Sequence, residues 1–468
     1  MRIVAAEFID RVLFYSLLVL IGLVAIPYGA AEPWWKAVFQ CLVFILSAFS
    51  VVELRLRNGI HPGASPRSGI APRGIVALVL PILALMVFAL CQTLSWPGYS
   101  IGGVSNLHKA LSSDPFETRL FAIQIFALLL FGWMLVRHTR NQRRLYFLID
   151  TIIAVAVISA AFGLWRQARQ QQMGFILPYL RPRFGYGQFI NSNHFAFLME
   201  MALGLTLGIA VRRGARGLRL VLYLIAAIPL WIAVVFSNSR GGILSILCQV
   251  VLLAGLLVTG PTDAPLGEKR RGVRIRQIVG QVMLVLVLVI GSAVTIVLVG
   301  GDPLVERANN LSVEFDRKAA ETFALRPNIW SATWELIKDH PIAGVGFGGY
   351  WIAISKYHHA SGDTTPQQAH NDYLELLASG GLIALAIGIW FIIAFVGLAR
   401  GALRNADPPG QAVILGAMTG ILTVSVHSLV DFGLHITINA LVFTALIGLV
   451  CIIHKQSNGS QGAARPAA

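Results

Sequence analysis

Along the chain, runs of mostly apolar residues alternate with short polar segments. About twelve runs reach the roughly 20 residues that a helix needs to cross hydrocarbon. They centre near Leu20, Phe44, Leu83, Leu128, Ile153, Met201, Ile225, Leu252, Val287, Ile389, Met418 and Leu446. The pattern predicts an all-α polytopic membrane protein. The longest polar departure runs from about Gly301 to Ala369. A structureless loop of that length is unusual, so short helices of its own are expected there. Within it, LRPNIWSATWELIKDHP predicts an amphipathic surface helix. Pro327 stands in its first turn, Ile329, Trp330, Trp334 and Ile337 share one side, and Pro341 is the stop. The tail QSNGSQGAARPAA reads as disordered.

Composition strengthens this picture. Of 468 residues, 56% are hydrophobic and only 13% charged, with a mean hydropathy of +0.71. A soluble domain carries about twice that charged fraction, so a water-soluble fold is excluded. The net charge of +15 would suggest nucleic acid in a soluble chain. Here most basic residues fall in alternate loops, as in Arg137, Arg140, Arg143 and Arg144, then Arg212, Arg213, Arg216 and Arg219, then Lys269, Arg270, Arg271, Arg274 and Arg276. Basic residues collect in cytoplasmic loops, which puts both termini in the cytoplasm, makes the lipid bilayer the partner and leaves no role for nucleic acid. Cys41, Cys91, Cys248 and Cys451 lie far apart with no CxxC pair, indicating neither a disulfide framework nor a thiolate metal site.

Four of the spans that enter from the outer face are preceded or opened by polar clusters: FINSNHF, FSNSRGG, AHNDYLELL and VHSLVDFGLHITIN. A helix start offers unpaired N–H groups and a positive dipole end, which favour an anion. Arg240, directly before Gly241 and Gly242, sits at a membrane boundary, where an arginine is costly unless paired or lining a wet cavity. Arg183 in RPRFGYGQFINSN and Arg326 in ALRPNIW are similar candidates. Lipid headgroup binding or a structural salt bridge is the plainer explanation for each. Converging guanidinium forks would instead bind a phosphate or pyrophosphate. His370, beside Asn371 and Asp372, is a candidate base for a sugar hydroxyl, with capping as the plainer role. His427, Asp431 and His435 stand at helical spacing and either orient the site or pair with one another. Gly344, Gly346 and Gly349 spell GxGxxG outside any βαβ context, and are expected to form a turn. His358, His359, Asp363 and His370 match no common zinc spacing, so no metal is expected.

Together, NSNHFAFLME, SNSRGGIL, RPNIWSATWELIKDHPIAGVGFGGYW, HNDYLELLASGGLIALAIG and VHSLVDFGLHITINALVF resemble the bacterial O-antigen ligase and O-antigen polymerase superfamily. The resemblance covers roughly Arg183 to Val450. It implies a GT-C-type glycosyltransferase of the inner membrane, with about twelve helices and a large periplasmic loop. It implies transfer of a glycan from undecaprenyl diphosphate to an acceptor at the periplasmic face, with no metal and no cofactor. The matching positions are Arg240 and Arg326 for donor binding and His370 for acceptor activation. Arg183 and Asn193 would join them at the pyrophosphate, with Asn371, Tyr373, Asp431 and His435 in support. Attack opposite the departing diphosphate would invert the anomeric carbon.

The chain then divides into helices 1 to 5 (1–180), helices 6 to 9 (181–300), the periplasmic loop (301–371), helices 10 to 12 (372–455) and a cytoplasmic tail (456–468). The single long outer loop favours a ligase with lipid A-core oligosaccharide as acceptor. A polymerase would use a lipid-linked repeat unit as acceptor, and a third relative glycosylates protein. A flippase, from a different class, would carry charges through mid-span.

Overall fold

A computed structural model describes residues 2–58, 73–100, 108–169, 186–212, 214–258, 320–358 and 366–464. The helices are α1 (Arg2–Ala25), α2 (Pro33–Asn58), α3 (Arg73–Gln92), α4 (Pro115–His138), α5 (Gln142–Ala168), α6 (Ser192–Val211), α7 (Gly217–Phe236) and α8 (Arg240–Val258). They continue with α9 (Ala320–Asp339), the short α10 (Tyr350–Ala353), α11 (Asp372–Asn405), α12 (Pro408–His427) and α13 (Thr437–Ala464). Among the described residues ten helices are long and apolar enough to cross a membrane, and α8 adds a shorter apolar one. Eleven of the twelve expected span centres fall on these helices; the one near Val287 lies outside the described residues. The chain is therefore an all-helical polytopic membrane protein. The one sheet among the described residues is a minor addition that the apolar pattern did not predict, an antiparallel pair of β1 (Ser95–Ser100) and β2 (His108–Ala110).

The core is built around α6, whose apolar window is 89% buried, and α12 and α13, at 61% and 72%. Helices α6 and α12 approach to backbone contact. A Cβ on Gly204 would lie 2.5 Å from Gly420 N, and one on Gly208 would lie 2.3 Å from Gly416 Cα. Small residues permit that approach where lipid offers no hydrophobic drive for association.

Helix α11 is broken at Gly381, which takes φ 59° and ψ −157°. A break inside a span must have its backbone groups satisfied by protein, and the segment after α9 does this. Val345 and Gly346 N–H groups donate to Ala378 and Ser379 O at 2.9 Å, and Leu382 N–H donates to Pro341 O at 2.8 Å. Gln92 Nε2 adds bonds to Ala343 O at 2.7 Å and Ser379 O at 2.9 Å. The Gly344, Gly346 and Gly349 segment is thus a turn wedged into α11.

Charges gather at both ends of the bundle. At the end carrying Arg2 and the close of α4, Asp10 accepts from Arg144 at 2.8 Å and contacts His138 at 2.7 Å. Glu53, fully buried, receives Arg137 at 2.6 Å, Arg140 at 3.0 Å and also Arg57. The opposite end carries the polar clusters that open α6, α8, α11 and α13.

Helix α9 differs from expectation in two ways. It begins at Ala320, so Pro327 lies inside rather than in the first turn. Its buried side is Ile329, Ala332, Thr333, Leu336 and Ile337, while Trp334 is 51% exposed. Burial against Tyr350, Ile354 and Ala378 selects the i, i+3, i+4, i+7 stripe from Ile329, which leaves Trp334 on the other face.

Candidate functional site

The segment between α12 and α13 carries Asp431, which is 1% exposed. Asn193 Nδ2–H, from the first turn of α6, donates to its Oδ2. Arg326 of α9 lies 3.4 Å from the same oxygen. His370 Nδ1 stands 3.7 Å and His194 Nε2 3.8 Å from Oδ1, and Phe432 N–H donates to Oδ1 at 2.9 Å. Four segments remote in sequence thus meet on one carboxylate. Burial alone would raise its pKa, but the His370 and His194 imidazoles and the Phe432 N–H hold it well below the usual carboxylate range. The Phe432 ring meets His194 and His370 edge-on, with centroids 4.7 and 4.9 Å away.

His370 is fixed by the chain on both sides of it. Its φ of 51° is left-handed, an uncommon state for a residue with a Cβ that persists where the surroundings impose it. On one side, Trp330 Nε1–H of α9 donates to Ala369 O at 3.0 Å, and Ala369 N–H donates to Glu375 Oε2 at 2.9 Å. On the other, Asn371 Oδ1 caps α11 by accepting from Tyr373 and Leu374 N–H at 3.0 and 3.1 Å. Asp372 N–H donates to Ser428 O at 2.9 Å. Tyr373 OH reaches Ser425 O at 2.8 Å, which ties α11 to the end of α12. The imidazole remains 31% exposed, with Nδ1 on the Asp431 side.

His435 stands 3.4 Å from Asp372 and 3.7 Å from Glu375. Burial lowers its pKa, but those two carboxylates outweigh burial and push it up to about 9. It is therefore a cation beside the site at neutral pH. Arg240 is the exposed first residue of α8. Its place is set by Gly241, where a Cβ would lie 2.4 Å from the His427 ring and 2.9 Å from Val430. The start of α8 thus packs on the segment that carries Asp431. Arg183, His359 and Asp363 lie outside the described residues.

Of the expected residues, Asn193, Arg326, His370 and Asp431 come together directly. Asn371, Tyr373 and His435 surround them, and Arg240 adjoins the same segment. The side chains of His427, Asp431 and His435 do not pair with one another. Residues 428–436 leave the helix, so helical spacing does not apply; His427 turns inward to Glu200, at 2.9 Å. His194, Phe432, Glu200 and Glu375 were not foreseen. All four stand inside the motifs quoted above, at NSNHFAFLME, VHSLVDFGLH and HNDYLELL, so the residues were in view while their partners were not.

An exposed imidazole backed by a buried carboxylate can take a proton from a hydroxyl and be stabilised as imidazolium. Arginines and helix starts on the same face can hold an anion. Among curated proteins none matches the chain. Residues 224–391 match a family model described as O-antigen ligase, a stretch that contains Arg240, Arg326 and His370 and ends short of Asp431. Over that stretch the chain is similar to the O-antigen ligase family.

Proposed function

We propose that the protein transfers a glycan from undecaprenyl diphosphate to lipid A-core oligosaccharide at the periplasmic face of the inner membrane. The observation that carries this reading is the meeting of His370, Arg326 and Asn193 on buried Asp431, beside the helix start that bears Arg240. His370 is the base: it accepts the acceptor hydroxyl's proton while Asp431 steadies the resulting imidazolium. Arg240, Arg326 and the start of α6 receive the diphosphate oxygens as negative charge develops on the leaving group. Preorganised donors of this kind lower a barrier by several kcal/mol. Attack by the hydroxyl on the anomeric carbon, as the bond to the diphosphate breaks, inverts the configuration. Nucleotide sugars are cytoplasmic, so a transferase on the outer face draws on a donor already carried across by lipid.

The test is transfer by the purified full chain in proteoliposomes, with undecaprenyl diphosphate-linked glycan and lipid A-core oligosaccharide, followed by gel. His370→Ala is expected to lower kcat about 10²- to 10⁴-fold, the usual span of general acid–base catalysis, while donor binding is retained. Full activity in that variant removes the proposed base. Activity is expected to persist in chelator. Lengthening of the lipid-linked glycan without transfer to lipid A-core identifies a polymerase, and transfer to pilin the protein-directed relative.

A further inference from the structure

Below the site lies a second histidine–carboxylate pair that the reaction above does not use. Glu200 of α6 and His427 at the end of α12 are 0% and 1% exposed, and His427 Nδ1 is 2.9 Å from Glu200 Oε1. The other ring nitrogen, Nε2, is 3.3 Å from Ser239 Oγ. Ser239, also 0% exposed, accepts from Gly242 N–H at 3.0 Å. That bond, between the residue before a helix and the third N–H of the helix, is an N-cap, so Ser239 sets where α8 begins, directly ahead of Arg240. One proton arrangement accounts for each of these contacts: His427 Nδ1–H donates to Glu200 Oε1, and the Ser239 hydroxyl donates to Nε2 while accepting from Gly242.

The ring is held on both faces. Phe197 packs on it with centroids 4.2 Å apart, and the α8 backbone at Gly241 leaves no room for a Cβ on the other side. Val430 and Asp431 N–H groups both donate to His427 O, at 2.9 and 3.1 Å. The same residue therefore fixes the start of α8 through its side chain and the Asp431 segment through its carbonyl. A Ser–His–Glu series suggests a nucleophile, but a fully buried Ser239 whose oxygen already caps a helix has no reactant to meet.

We infer that Glu200, His427 and Ser239 form a buried positioning chain that aims Arg240 at the donor diphosphate in register with Asp431. This rests on the donor-binding role given to Arg240. Glu200→Gln keeps the volume and removes the charge that orders the chain. Its expected effect is about a 10-fold rise in the Kd for undecaprenyl diphosphate and in donor KM, with kcat within about 3-fold, the pattern of lost uniform binding. In an Arg240→Ala background the same substitution is expected to add less than about 2-fold, because a residue acting through Arg240 has nothing left to aim.

Additive losses in the double variant, or unchanged Kd and KM in the single one, overturn the chain. Should Glu200→Gln fail to fold, Ser239→Ala carries the test with the same criteria. A wild-type protein that does not bind undecaprenyl diphosphate overturns the function reading and the chain with it. Binding in the wild type with no change in the variants overturns the chain alone.

Discussion

Replacing Asp431 by Asn keeps the shape of the side chain and removes the charge that faces His370, His194 and Arg326. The imidazolium formed on His370 then lacks its counterion, so kcat is expected to fall about 10²-fold or more in the transfer assay, with donor KM changing less. His435 provides a separate pH signature. Its folded pKa of about 9 lies above the ordinary 6.5, so its contribution to stability is complete below about 6.5. That contribution is lost as pH rises through about 9. Thermal unfolding from pH 6 to 10 should show this alkaline decline, and His435→Gln should flatten it. At this scale the sequence was informative where a polar residue stood at a helix start, as with Arg240, Asn193 and His370. It gave no partner for Glu200, because one carboxylate in an apolar run carries no sign of a histidine 227 positions away. Asp431 and His435 were visible as residues but misleading as a series, since their spacing implied a helix that residues 428–436 do not form.

Helices reproduce the apolar periodicity because length and hydropathy are local properties. Their contacts are not local. The close crossing of α6 and α12 depends on Gly204, Gly208, Gly416 and Gly420 lying face to face, which no single run announces. Gly208→Val should destabilise the protein by about 1–3 kcal/mol or more, the range for overpacking, read as a lower unfolding temperature in detergent. Helix α9 was legible in the sequence from Arg326 to Asp339, but not its upstream extension, because Pro327 signals a start while the chain continues a helix through it. Trp330 joins that helix to the loop before His370 by one bond to Ala369 O. Trp330→Phe should reduce kcat about 5-fold, in line with a lost hydrogen bond of about 1 kcal/mol, with unchanged expression.

Over the whole molecule, the two ends divide the work. The end of Asp10 and Glu53 is an ionic network in which arginines from α2 and the α4–α5 region close on two buried carboxylates. Glu53→Gln strands Arg57 and Arg137, leaves Arg140 with Asp10 alone, and should cost about 3–5 kcal/mol of stability, while the donor KM of the surviving folded protein stays put. The other end sets Arg326 against Asp431, with the partly exposed imidazoles of His370 and His435 beside it. The charge bias along the sequence marked Arg137, Arg140 and Arg144 as a basic cluster; it did not reveal that they close on buried carboxylates.

The interruption of α11 at Gly381 has a mechanical consequence. Its upper turns, which bear Asn371, Asp372 and Glu375, are bonded across to the chain around Val345 and Gly346, while Leu382 and Ile383 are bonded to Pro341 and Ile342. A thicker or thinner bilayer that tilts the long lower shaft therefore has no rigid lever arm reaching the imidazole. His370 rides on the turns above the break, insulated from strain in the lipid around the lower shaft.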